Sequence, residues 1–195
     1  MFIESVEESA ATGEVAAYYA EQKAAWGFLP NYAACFAARP EVARAWAVLN
    51  LTIRGGMDRR RFEIATIAAA RARRSTYCTT AHSTFLRDVC GDAQAVLAIG
   101  ADPTGAALDP VDAAVFRFAT TVATDASAVD QADVDELRRH GLSDTDVADV
   151  VLAVAARLFF TSVLDGLGAQ LDVQTAQQFD DELLASMIVG RPPAD

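Results

Sequence analysis

Apolar residues recur along this chain at spacings of three and four within alanine-rich stretches, and no long run alternates apolar with polar positions. That period lays a stripe down one side of a helix and gives no strand a single buried face, so it predicts an all-helical protein. The first stripe, Val15, Tyr18, Tyr19 and Trp26, falls on a helix from Gly13 to Trp26 and reads as core or subunit interface; Gly27 supplies a stop and Pro30 bars continuation. A short helical piece over Asn31 to Ala38 precedes Pro40, which suits the first turn of a helix reaching about Ile53, with Gly55 and Gly56 as a break. Asp58 is placed to N-cap a helix from Arg59 to about Arg73. Ser75 or Thr76 is placed to cap the next, from about Thr76 to Val89, closed by Gly91. Because no Gly or Pro separates these two segments, a continuous helix through Ser75 stays open.

Further on, the pattern predicts a short helix over Asp92 to Ile99 and a loop over ADPTGAALDP. A helix opened by Asp109 and Pro110 runs to about Thr124, and another runs from Asp130 to His140. Ser143 with Asp146 resembles a capping box for a long apolar helix carrying Val147, Val150, Val151, Val154, Leu158 and Phe159; Gly166 and Gly168 bend or end it. A last helix is expected over about Thr175 to Ile188. DRRRFEIATIAAAR and SDTDVADVVLAVAAR echo each other in cap, charged first turn and closing arginine, and the second copy has no Cys or His. Arg59, Arg60 and Arg61 stand where the helix dipole opposes cations, which predicts acidic partners elsewhere in the fold.

A length of 195 residues, 52% hydrophobic, suits one globular domain over 1–195, with N-terminal helices in 1–55, a core motif in 58–90 and C-terminal helices in 110–189. The chain holds no run of about 18 uncharged apolar residues, and its first residues are acidic and polar after Ile3. Neither a membrane span nor a secretory signal is therefore expected, and the expected location is cytoplasmic. A net charge of −11 argues against nucleic acid as a partner, and the seven basic residues between Arg54 and Arg74 read as helix faces and ion pairs. Three cysteines without an export signal read as reduced thiols, Cys35 and Cys90 as small apolar residues. Asp144, Asp146 and Asp149 read as capping and a solvated face, so no metal is expected there.

Candidate chemistry concentrates between Asp58 and Cys90. A helix starting near Ser75 puts Cys78 in its first turn, where free N–H groups and the positive dipole end favour a thiolate, and His82 lies one turn on along the same face. Ser75 and Tyr77 are candidate polar support. On an antiparallel preceding helix Glu63 lies roughly 15 Å of helix from the turn and His82 roughly 9 Å, a gap of one turn that a tilted crossing and a long side chain close. Glu63 would then orient His82 and raise its basicity.

Glu63, eleven residues, Ser75, two residues, Cys78, three residues, His82 resembles the active-site motif of the alkylhydroperoxidase D-like and carboxymuconolactone decarboxylase superfamily, whose redox form has a cysteine at the place of Ser75. Gly27-Phe28-Leu29-Pro30-Asn31, Arg61-Phe62-Glu63, Tyr77-Cys78 and Ala81-His82-Ser83 look like its peroxidase-related subgroup, as does Asp165-Gly166-Leu167-Gly168. The resemblance covers most of the chain. It implies an all-α, single-domain multi-helix bundle, a homo-oligomer from dimer to hexamer, and no bound cofactor. By position, Cys78 matches the peroxide-reacting cysteine, His82 the relay histidine and Glu63 its glutamate. With Ser75 unable to close a disulfide, three readings stay open. One is a one-cysteine hydroperoxide reductase served by an external thiol or by Cys35 or Cys90. The others are non-redox decarboxylase-like chemistry on a small acid, and an inactive oligomeric relative.

Overall fold

A computed structural model describes residues 1–194, and among them the chain forms helices and no strand. In order these are α1 (Gly13–Trp26), α2 (Pro40–Gly56), α3 (Arg59–Ala72), α4 (Thr76–Asp88), α5 (Ala93–Ala101), α6 (Pro110–Asp125), α7 (Gln131–Arg139), α8 (Asp144–Leu167), α9 (Val173–Ala176) and α10 (Asp181–Met187). Short 3-10 turns occupy Glu8–Ala10, Asn31–Phe36 and Ala126–Ala128.

The boundaries follow local chemistry where a side chain can reach a free backbone N–H. Asp58 accepts from the Arg61 N–H and Asp109 from that of Asp112, while Asp130 and Ser143 each close a capping box. Gly27 and Gly168 end α1 and α8 in the left-handed conformation. Two expectations are corrected. Gly55 and Gly56 continue α2 instead of breaking it, as its exposed last turn before Met57 and the Asp58 cap. The last helix is two pieces, because Asp180 caps a fresh start by accepting from the Leu183 N–H and Phe179 is buried just before it.

At the centre lies α3, in which every residue from Phe62 to Ala70 is buried. Its alanines let α4, α6 and α8 approach it closely. The three arginines at its start find their acids across helices: Arg59 donates to Glu63 at 2.6 Å, Arg60 to Asp92 at 2.6 Å and also to Asp112, and Arg61 pairs with Asp146 in the first turn of α8. Since Asp92 caps α5, and Asp109, which also faces Arg60, caps α6, one guanidinium joins the starts of two helices to a third. By length and hydropathy α8 is long and apolar enough to cross a membrane. Half of that stretch is buried here against protein, and it holds one basic residue, Arg157.

A sharp turn separates α3 from α4. Arg74 takes a φ of 58°, the one described non-glycine residue in the left-handed region, and the Ser75 N–H returns to the Ala70 carbonyl at 2.9 Å. The C-terminal segment closes over this turn. Arg74 Nε donates to the Val189 carbonyl, and the Gly190 N–H donates to Thr76 Oγ1 at 3.0 Å.

Candidate active site

The α3–α4 hairpin brings Glu63 and His82 into contact, closing the one-turn gap between their distances from the turn: His82 Nδ1 lies 2.5 Å from Glu63 Oε2. Glu63 is fully buried and its other oxygen accepts from Arg59, so both oxygens are engaged. Burial works to raise the Glu63 carboxyl, and His82 and Arg59 overcome it, leaving it below its usual range. Burial pushes His82 down to about 4, aided by the Arg157 cation and opposed by Glu63. An ionised Glu63 facing a neutral imidazole assigns the proton to Nδ1 and leaves Nε2 as the acceptor.

Stability should follow. The unfolded chain binds the histidine proton near pH 6.5, roughly the free value, but the folded chain binds it only near 4. The His82 contribution is therefore lost as pH falls between those values, and the depressed Glu63 acts in the same direction. Imidazole NMR of the chain's two histidines is expected to place the His82 midpoint below about pH 5. His82→Gln should flatten the slope of stability against pH between 4 and 6.5. A midpoint at or above about 6.5 would mean a protonated His82 paired with Glu63.

Cys78 sits in the first turn of α4, 1% exposed. Its hydrogen-bond partner is Arg157 of α8, whose Nη1 is 3.6 Å from the sulfur; among the described residues no hydrogen bond joins Cys78 to His82. The Arg157 side chain is buried, pairs with no described carboxylate, and lies 5.4 Å from the centroids of both Trp46 and Phe160, which stack on each other at 4.0 Å. Burial pushes the Cys78 thiol up and Arg157 is the largest opposing influence. Sequence reasoning missed Arg157. The one signal was a lone cation in an otherwise apolar helix, closing the echo of α3.

Around these groups is an open cavity of about 160 Å³. Cys78, His82 and Glu63 line it together with Arg157 and Tyr77, and Trp26, Tyr32, Trp46, Phe62, Phe85 and Phe160 supply its apolar walls. Trp26 thus belongs to the cavity, while Tyr18 and Tyr19 of the same stripe are core. Tyr77 is held from behind, since its hydroxyl donates to buried Asp172, which also accepts from the Asn31 N–H at 2.6 Å. Asp172, on the segment after α8, was likewise not foreseen.

Ser75 occupies the N-cap position of α4, but its hydroxyl makes no capping bond. That hydroxyl is wholly buried, has no hydrogen-bond partner among the described residues, and lies outside the cavity lining. It is near enough to Cys78 and Asp165 to favour their ionised forms without a bond of normal length to either. Neither Cys35, whose sulfur meets Met1 Sδ at 3.5 Å, nor Cys90 lines the cavity, and all three cysteines are free.

No protein-family model and no curated protein sequence matches the chain. Solved structures do. An uncharacterized peroxidase-related protein with an alkylhydroperoxidase AhpD core, from Ralstonia eutropha JMP134, aligns over 97% of both chains at 23% identity with a TM-score of 0.76. A peroxidase-related protein from Silicibacter sp. TM1040 covers 90% of this chain and 91% of its own at 19% identity and a TM-score of 0.70. The debrominase Bmp8 covers 94% and 96% at 19% identity and a TM-score of 0.70, and a cysteine-to-alanine variant of it was solved with 2,3,4-tribromopyrrole. At these identities the likeness is one of fold, and this chain has the all-α alkylhydroperoxidase D-like fold.

Proposed function

We propose that this chain is a thiol-dependent hydroperoxide reductase whose reacting atom is Cys78 Sγ. The observation that carries the reading is the sulfur in a cavity wall, 3.6 Å from a buried guanidinium with no described carboxylate partner. Such a cation stabilises a thiolate and then the negative charge that moves onto the departing oxygen. The thiol proton passes to His82 Nε2, with Glu63 stabilising the imidazolium through Nδ1. The thiolate attacks one peroxide oxygen, forming the S–O bond as O–O breaks, and the departing alkoxide takes the proton back from His82. Cysteine sulfenic acid and an alcohol result. With no thiol at position 75, an external thiol attacks the sulfenic sulfur, releasing water and leaving a mixed disulfide that a second thiol resolves. A sulfur 1% exposed favours a low-molecular-weight thiol for this step.

After hydrogen peroxide treatment, a sulfenic-acid probe is expected to label Cys78, and Cys78→Ser to lose both label and peroxide turnover while Cys35→Ser and Cys90→Ser keep them. Absence of label on a folded protein would overturn the reading. One observation favours a second, non-redox reading, proton transfer on a small acid: His82 is bonded to Glu63 and makes no hydrogen bond to Cys78. Under it Cys78→Ser keeps activity on a carboxylated lactone and His82→Gln loses it.

A further inference from the structure

The cavity carries more positive charge than the thiol reaction uses. Along α2, Trp46, Asn50 and Arg54 recur at one-turn spacing and all line it. Arg54 is half-buried and, like Arg157, has no ion-pair partner among the described residues. Arg157 is engaged with the sulfur and Arg59 with Glu63, so Arg54 is the lining cation left without a task. With His82 neutral, three guanidiniums face the cavity against the single Glu63 carboxylate, in a protein of net charge −11. A concave, low-dielectric wall focuses such a local excess onto whatever enters.

Size and walls define the rest of the ligand. A dry cavity of about 150 Å³ holds a benzene ring. This one, about 160 Å³, is walled by rings whose faces and edges pack well on a flat apolar body. We infer that the site takes a single-ring aromatic molecule bearing an anionic group, the ring lying among Trp46, Phe62, Phe85 and Phe160 and the anion meeting Arg54 and Asn50. This rests on the reading that Cys78 reacts within this cavity, and it narrows the hydroperoxide to an aryl one with a carboxylate or similar anion. Arg54 is then a specificity residue, placed a turn beyond Asn50 from the aromatic wall.

The two tryptophans of the chain, Trp26 and Trp46, both line the cavity, so intrinsic emission reports entry without any turnover. Benzoate is expected to change that emission saturably and to bind about 10-fold tighter than benzamide, its neutral isostere, and than acetate, which lacks the ring. Arg54→Gln should reduce the benzoate-over-benzamide preference to near unity, and Arg54→Lys should keep most of it. Equal affinity for benzoate and benzamide in the natural chain overturns the anion site. Acetate binding as tightly as benzoate overturns the ring site, and an unchanged preference in Arg54→Gln overturns the role of Arg54. Repeating the titration in Cys78→Ser separates this inference from the peroxidase reading, because binding persists there whether or not the thiol reacts.

Discussion

Arg157→Met is expected to slow alkylation of Cys78 by iodoacetamide at neutral pH by about 10- to 100-fold, with little loss of thermal stability. Arg157 is 3% exposed, its guanidinium lies over Trp46 and Phe160, and among the described residues its one side-chain hydrogen-bond partner is Cys78 Sγ. A charge-assisted hydrogen bond is worth about 1.5–3 kcal/mol, which sets the size of the kinetic loss. A buried cation with no carboxylate, by contrast, holds the fold together poorly, and Met fills the same space between the rings at small cost. Thiol reactivity and stability should therefore separate. If Arg157→Met instead lowered Tm sharply and left alkylation unchanged, Arg157 would be a packing residue and the proposed thiolate would lose its counter-charge. Alkylation measured against pH adds a second readout, since loss of the cation should move the apparent thiol midpoint upward.

Gly190→Ala is expected to destabilise the protein by about 1–3 kcal/mol, read as a fall in Tm. A Cβ there would overlap the carbonyl oxygen of Arg74, which belongs to backbone and cannot swing aside. The tail would have to lift, breaking the bond from Gly190 to Thr76 and loosening the turn that holds Arg74 at positive φ. Amide exchange at Thr76 to Thr79 should accelerate with it, because these residues open α4. Gly55→Ala is the contrast. That glycine is helical with open space around it, so the same change should stabilise by about 0.5–1 kcal/mol. Loss of stability at both sites would point to a general intolerance of substitution rather than to the clamp.

These two glycines also mark what the sequence discloses. Caps are legible because donor and acceptor lie within three residues of each other, and Asp58, Asp109 and Ser143 all act as read. Glu63 and His82 are legible because a hairpin of two regular helices makes spatial distance a matter of counting turns. Gly55 and Gly56 read as a break because propensity is local, whereas their helix is held by its packing further back. Ser75 reads as a cap from its type and place, yet buried among side chains of α4 and α8 its hydroxyl does not reach a free N–H. Arg157, Asp172 and Gly190 lie 79, 95 and 114 residues from the side chains they meet on α4. No periodicity reports on a contact that exists only once the helices have packed.

The gathering of Asp92, Asp109 and Asp112 on Arg60 carries a consequence for how the chain can change over generations. An isolated loss of Arg60 would strand three carboxylates beside one another, and burial already lifts one of them, Asp112, to about 6. Drift at position 60 is thus expected only in company with drift at 92, 109 and 112. Among distant descendants these four positions should be inherited as one block, although they are scattered over two helices and two capping positions in the loops.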